Sequence, residues 1–340
     1  MSSVAVFVGL DYHQDSVRVC VMNPEGRVLT NRDLLNDARG IRAVVETYGP
    51  VQGVAIEACC GAAELAEELR QSADWPIELA HPGYVARIKQ SPDKTDCGDA
   101  HLLADLVRIG YLPKVWLAPA KVRQLRRLVR HRQLLVRQRR NTKLRIRALL
   151  RDKRIRQPEG LGGWTQRFLQ WLRTLPELTG DDRWLMDEHL RHLEQWNAEV
   201  TAVEAKLQGH AAEDAVVQKL LTFAGVGLVT AMTMRAEIGC FDRFGTSKQL
   251  ARFCGVTPRN ASSGHRQADA GLIKAGNPGL RTVLIELAHR LICRLKGHWS
   301  DLGYRLLQRG KPKNVVVAAV ANRWIRWLYH QVQPGALLAA

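Results

Sequence analysis

Apolar and polar positions in the first third of the chain fall into short runs that predict strands. Val4-Ala5-Val6-Phe7-Val8-Gly9-Leu10 is almost continuously apolar, and Ser16-Val17-Arg18-Val19-Cys20-Val21-Met22 alternates. After a turn at Asn23-Pro24-Glu25-Gly26, a third strand begins around Val28 and completes a meander. The spacing then predicts a helix near 38–48, a strand Gly53-Val54-Ala55-Ile56-Glu57, a helix near 61–73 and a short strand Ile77-Glu78-Leu79-Ala80. A meander followed by alternating helix and strand predicts an α/β layer on a mixed sheet.

After Pro113 the period lengthens. Val122, Leu125, Val129 and Val136 form a helical stripe within a segment from about 118 to 156, which ends before the breaker Pro158-Glu159-Gly160-Leu161-Gly162-Gly163. A second long helix is expected from about 181 to 209. Its apolar residues Met186, Leu190, Leu193, Trp196, Val200, Val203 and Leu207 recur every three or four positions, as in a helical hairpin or coiled coil. A helix in a globular core would show the same spacing. From 216 onward the chain reads as mostly helical, with Gly225-Val226-Gly227 joining two helices. Such a turn offers backbone N–H groups to a phosphate at Gly225 and Gly227; the competing reading is a tight connection that needs glycine's left-handed freedom. The divisions expected are 1–115, 116–212 and 213–340.

Charge changes this picture most in the long helix. Between Lys121 and Arg156, thirty-six residues hold sixteen Lys or Arg and one acid, Asp152. So many like charges repel one another without a counter-anion, which favours a nucleic-acid backbone reader through Arg126, Arg130, Arg137, Arg140, Lys143 and Arg147 over a merely solvated face. The helix has no interleaved aromatics for base stacking. Over the whole chain, 50 Lys and Arg against 33 Asp and Glu give a net +17, again pointing to a polyanion. The 340 residues fit two or three domains, and 46% hydrophobic content excludes a largely disordered chain. No run of about 18 apolar residues and no amphipathic anchor suggests a membrane partner. The start, Met1-Ser2-Ser3-Val4, lacks a secretory pattern and reads as cytoplasmic. The seven Cys form no C-x-x-C pair, which argues against a zinc ribbon or disulfide framework and fits a reducing compartment.

Four carboxylates carry the candidate chemistry. Asp11 ends the first apolar run and Glu57 ends the fourth strand, so both are expected at one edge of the sheet. Asp96 and Asp99 lie three apart at the start of the helical run through Leu106 and can approach that edge together. Four oxygen donors suit two Mg²⁺, with Mn²⁺ as the substitute, for cutting phosphodiesters. Each has a plainer reading: Asp96 as a helix cap, Asp99 as a first-turn acid, Asp11 as the opening of a turn toward His13. Glu57 is hardest to explain so, because an acid after Val54-Ala55-Ile56 needs a metal or cationic partner.

The segments Val8-Gly9-Leu10-Asp11-Tyr12-His13, Ala55-Ile56-Glu57-Ala58 and Lys94-Thr95-Asp96-Cys97-Gly98-Asp99-Ala100 resemble the RuvC-like domain of DEDD transposases of the insertion-sequence-110 family. The resemblance continues through Ala224-Gly225-Val226-Gly227, Ala236-Glu237-Ile238-Gly239, Cys254-Gly255-Val256-Thr257-Pro258, Ser263-Gly264, Ile273-Lys274-Ala275-Gly276-Asn277, Leu280-Arg281 and Arg309-Gly310-Lys311. It covers nearly the whole chain; Cys97-Gly98 departs from the family pattern, which often has Arg and a larger residue there. The resemblance implies a RuvC-like (RNase H-like) mixed-sheet domain, a helical coiled-coil arm and a mostly helical C-terminal transposase domain. It further implies Mg²⁺, donor and target double-stranded DNA, a structured non-coding guide called bridge RNA, a homodimer or homotetramer, and a bacterial protein at the nucleoid. Carried over by position, the catalytic serine falls on Ser263, with Ser262 as fallback. Arg259, His265, Arg266, Lys274 and Arg281 flank it and could neutralise phosphate. A serine nucleophile stores the bond energy as a phosphoserine ester and allows rejoining. Related readings are a DNA invertase of the pilin-inversion type, a RuvC-like junction endonuclease with water as nucleophile, and a catalytically inactive nucleic-acid-binding scaffold.

Overall fold

β1 (Val6–Tyr12), β2 (Ser16–Met22) and β3 (Val28–Leu35) form the expected antiparallel meander. The computed structural model describes residues 4–88, 96–260 and 269–332. β4 (Val51–Glu57) and β5 (Ile77–Ala80) join β1 in parallel, and the two-residue β6 (Lys114–Val115) pairs antiparallel with β5. The mixed six-stranded sheet therefore has the order β3-β2-β1-β4-β5-β6. α1 (Ala38–Val45) and α2 (Ala62–Ala73) cover one face, where Ile41, Val45, Leu65 and Leu69 pack with Val8, Leu10, Val54 and Ile56.

The other face holds α3 (Pro82–Ile88) and α4 (Asp96–Arg108). Ala100 and Ala104 of α4 pack on Cys20 and Met22, while Leu103 and Leu106 meet Ala55 and Ala80. Gly9 permits the close approach: a Cβ there would lie 2.0 Å from the Ala100 carbonyl oxygen and 2.5 Å from the Ala104 nitrogen. Gly9→Ala is expected to cost at least about 3 kcal/mol, the upper end of ordinary overpacking, because backbone rather than a side chain must yield. A lowered thermal midpoint checks this; an unchanged one would mean that α4 does not lie against β1.

The chain divides into two compact units, 1–119 and 120–340. The second is built on α5 (Ala120–Asp152) and α7 (Gly180–Glu213), which pack along each other as a helical hairpin. α5 stops four residues before its expected end, where Arg154 takes a left-handed φ of +56°. The outer halves of both helices have their own core: Ile146 and Leu150 meet Met186 and Leu190 around Phe168 and Leu172 of α6 (Gln166–Arg173). The inner halves join a larger core with α8 (Ala215–Leu221), α9 (Leu228–Ile238), α10 (Ser247–Phe253), α11 (Pro278–Cys293), α12 (His298–Gln308) and α13 (Lys313–Gln331). This part is mostly helical, as expected, except for an antiparallel pair, β7 (Pro258–Asn260) and β8 (Asp269–Leu272), which the periodicity had not revealed. Among the described residues no helix is long and apolar enough to cross a membrane.

Candidate functional site

The register of the sheet brings two of the four carboxylates side by side. Leu10 on β1 pairs with Ile56 on β4, and Asp11 and Glu57 are the next residues on these parallel strands. Neighbouring strands lie about 4.8 Å apart and alternate residues share a face, so Asp11 and Glu57 project together on the face opposite Leu10 and Ile56. Gly9 shares that face, and α4 lies over it. α4 runs antiparallel to β1: Asn31, opposite Cys20, donates to the Cys97 carbonyl at 3.0 Å, whereas Arg108 donates to Pro24 beyond the far end of β2. One helical turn before Ala100 covers about 6 Å, close to the roughly 6.6 Å between Gly9 and Asp11 along the strand. The first turn of α4, with the backbone of Asp96 and the partly buried Asp99, is thereby carried to the Asp11–Glu57 edge.

This edge is electrostatically negative. Asp11 is 19% exposed and lies 3.6 Å from the His13 ring nitrogen. Burial pushes the Cys59 thiol above its ordinary pKa; the Ala62 N–H opposes that shift, and Glu57, Cys60 and Asp11 reinforce it. The nearest guanidinium on β2, Arg18 opposite Asp11, is engaged by Asp33 at 2.8 Å and by Asn31. Among the described residues no three His, Cys, Asp or Glu side chains already form a metal-binding group. The side chain of Asp96, the fourth member, lies outside the described residues. The two donors that the register sets side by side, Asp11 and Glu57, are both carboxylates, which fit a hard divalent cation better than a thiophilic one.

Ser262, Ser263, His265 and Arg266 also lie outside the described residues, but the strands flanking them are described. Their foundation is a crossing of two glycine turns. A Cβ on Gly276 would sit 2.3 Å from the Gly255 Cα, so the two backbones are in contact. Arg281 ties both turns together, donating to the carbonyls of Gly255 and Ile273 at 2.9 Å each, with longer bonds to Lys274 and Gly276. Arg281, expected to meet phosphate, is thus occupied inside the protein, whereas Lys274 has an exposed side chain. In the Gly-Val-Gly turn, Gly225 takes φ +81° and its carbonyl accepts from Arg290, while Gly227 caps α9 without a side-chain hydrogen bond.

The glycine crossing is linked to α5 through Glu237, which the sequence reading did not single out. Its carboxylate is 4% exposed and accepts two 2.8 Å bonds from Arg130 and one from Asn277, the residue that caps α11. Burial alone would raise the Glu237 pKa, but Arg130, Asn277 and Arg126 outweigh it and hold the carboxyl below its ordinary range. Glu237→Ala should cost about 3 kcal/mol, the low end for breaking a buried pair, because Arg130 itself is largely exposed. Since the folded pKa is depressed, the contribution of Glu237 is complete above its unfolded pKa, about 4.3, and is lost as pH falls through the lower folded value. Urea midpoints should converge between wild type and Glu237→Gln as pH drops through that window; a constant difference would contradict the network.

The same network takes up part of the basic helix. Arg126 donates to the Ala236 and Glu237 carbonyls, Arg132 pairs with Glu204 at 2.6 Å, and Lys153 pairs with Asp182. Arg126 is therefore engaged by backbone carbonyls, whereas Arg130 is paired with Glu237 but 61% exposed. Arg137, Arg140, Arg147 and Arg151 remain exposed at intervals of three or four along one face, with Leu144 among them. Arg137 and Arg140 have no ion-pair partner among the described residues. An aromatic does approach this helix, from outside it: the Trp164 ring lies 4.7 Å from the Lys143 ammonium and 5.5 Å from the Arg147 guanidinium. Burial, with help from Arg139 and Arg147, lowers the Lys143 pKa.

Comparison with known proteins bears on these arrangements. Residues 8–154 match the family model for IS110-type DEDD transposases, described as transposase, and residues 217–305 match the one described as transposase of the IS116/IS110/IS902 family. A probable family 20 transposase of Pseudomonas aeruginosa is 30% identical over 81% of this chain and 82% of its own length. The transposase for insertion sequence element IS1111A of Coxiella burnetii is 26% identical over 93% of this chain and 86% of its own. The transposase for insertion sequence element IS1328 of Yersinia enterocolitica is 27% identical over 80% and 81%.

Proposed function

From the premise that the chain belongs to the IS110 family of transposases, enzymes that act on DNA, we propose that it cleaves, exchanges and rejoins donor and target DNA through a serine ester. The observation that carries this reading is the adjacency of Asp11 and Glu57 on parallel strands beneath the first turn of α4. The strand order, with an antiparallel meander followed by two parallel strands, supports a RuvC-like assignment of residues 1–115. The α5–α7 hairpin suits an arm, proposed as 116–212, and the helices after it suit a transposase domain, 213–340.

Asp11, Glu57, Asp96 and Asp99 would hold Mg²⁺, two ions or Mn²⁺ in their place. Bound there, the ions supply Lewis acidity and neutralise charge on the phosphate. Ser263 Oγ attacks phosphorus; the Oγ–P bond forms as the bond to the leaving deoxyribose oxygen breaks, and the serine proton passes to solvent. The hydroxyl of an exchanged strand then attacks the ester, releasing Ser263. Arg266 and Lys274 favour the developing negative charge.

Charge is divided unevenly between the units. Residues 1–119 hold 11 Lys and Arg against 16 Asp and Glu, a net −5, while 120–340 hold 39 against 17, a net +22. The acidic unit has no general affinity for DNA without cations, so the basic unit supplies the grip. The exposed face of α5 from Arg137 to Arg151 spans about 21 Å, roughly six base pairs of duplex. Arg137→Gln with Arg140→Gln is expected to weaken binding evenly across sequences and to reduce the salt slope by about 2. An unchanged slope would assign the phosphate contacts to another surface. The same face and Lys143 suit a structured guide RNA, the bridge RNA, and a dimer or tetramer would present donor and target together.

The direct test incubates the protein with its flanking non-coding RNA, paired donor and target DNA, and Mg²⁺. Joined strands that disappear with chelator, and separately without the RNA, are expected. Joining that persists in both conditions would remove the metal and guide assignments.

A further inference from the structure

α13 buries one side and leaves the other uncovered. Val316, Val320, Trp324 and Leu328 enter the helical core, whereas Val315 is 48% exposed. Val315, Ala319, Asn322 and Arg326, three or four apart, line a cavity of about 700 Å³ between α13, α11 and the β7–β8 pair. Its size falls within the range of ligand sites, roughly 300–1,000 Å³. Its walls are apolar, with Val256, Leu272, Ile285 and Ala318. Its polar lining residues are His289, Asn314, Asn322, Arg323 and Arg326. The Asn322 amide donates to the Val256 carbonyl at 3.1 Å, which fixes the side chain and leaves its oxygen able to accept. Arg326 Nε is buried without a hydrogen-bond partner among the described residues, a donor left for water or a ligand to satisfy.

Two further facts identify the occupant. The groove belongs to the unit with net +22, so a neutral apolar peptide would leave its arginines unanswered. Pro258, Gly271 and Leu272 also line it, and the chain between those strands contains Ser263. We propose that this groove receives one unstacked nucleobase of the DNA strand undergoing exchange, with Arg323 and Arg326 meeting the adjoining phosphate. Apolar walls accept the flat ring, and Asn322 and His289 offer hydrogen bonds to its edge. The inference rests on the recombinase reading of the β7–β8 pair and adds to it a base-binding subsite.

The test uses the full chain with oligothymidine and an abasic oligonucleotide of equal length and charge. One stacked base corresponds to about a tenfold preference for oligothymidine. Ala318→Leu, which narrows the groove without adding a ring for bases to stack on, should erase that preference while leaving the affinity for the abasic strand unchanged. If Ala318→Leu does not fold, Ala319→Leu on the same lining blocks the same space. Equal binding of both strands by the wild type, or a preference that survives either substitution, overturns the proposal. So does an oligomer that dissociates on blocking with the base preference intact, which would give the groove to a second copy of the chain. A preference for ribouridine over deoxyuridine strands that blocking abolishes would give it to RNA and likewise overturn the proposal. Formation of the serine–DNA adduct is scored in the same preparations. Adduct without base preference removes this inference alone, whereas base preference without adduct removes the recombinase reading and leaves the groove a base-binding site with no strand exchange to serve.

Discussion

Ser263→Ala is expected to abolish strand exchange, by at least about 10³-fold as for removal of other enzymatic nucleophiles, while DNA affinity and its salt dependence remain unchanged. Hydroxyl removal deletes the atom that would keep the phosphodiester energy in a covalent ester, and water in its place would cut without permitting rejoining. Residues 261–268 lie between β7 and β8, whose footing is the contact of Gly255 with Gly276 and the carbonyl bonds of Arg281. An unchanged thermal midpoint of Ser263→Ala, measured beside the exchange assay, makes a lost activity report chemistry rather than collapse. Ser262→Ala is the control and should retain exchange. Activity lost in Ser262→Ala but kept in Ser263→Ala would transfer the role to the neighbouring hydroxyl.

Glu57→Gln should be nearly as severe. Metal-borne charge stabilisation is worth several kcal/mol in a transition state, and about 4 kcal/mol corresponds to a loss near 10³-fold. The substitution retains the size and the β4 register but removes one carboxylate beside Asp11. Its effect on stability should have the opposite sign. Asp11 and Glu57 carry like charges on neighbouring strands, so Glu57→Gln is expected to raise the midpoint in chelator, by a gain within the roughly 0.5–2 kcal/mol seen when functional strain is relieved. Mg²⁺ should stabilise the wild type through binding to the folded state and have little effect on Glu57→Gln. Equal stabilisation of both proteins by Mg²⁺ would place the ions away from Glu57, whatever the turnover.

What the amino-acid pattern revealed was mainly local. Apolar runs ending in Asp11 and Glu57 marked strand ends, and the run beginning at Asp96 marked a helix; of the expected set, the register places Asp11 beside Glu57. The closeness of α4 depended on Gly9, whose meaning lies in a contact with Ala100 almost a hundred residues away and so has no local signal. Arginine was the residue whose partners the sequence showed least. A guanidinium satisfies a phosphate and a ring of backbone carbonyls by the same geometry, so Arg126, Arg130 and Arg281 looked like Arg137 and Arg140 until their partners were known. Glu237 was an acid in an apolar helix whose partners come from α5 and the cap of α11, both distant in sequence. The β7–β8 strands, three and four residues long, were too short for alternation to register against the surrounding helical period.

The central claim is that a carboxylate-bound metal site and Ser263 act on one phosphodiester. The most direct measurement is peptide mass mapping of a denaturation-resistant protein–DNA adduct formed with Mg²⁺, paired DNA and the flanking RNA. The account predicts a nucleotide ester on Ser263, present in wild type and absent from both Ser263→Ala and Glu57→Gln. DNA cut efficiently with no adduct on any residue would contradict it and leave a water-driven nuclease.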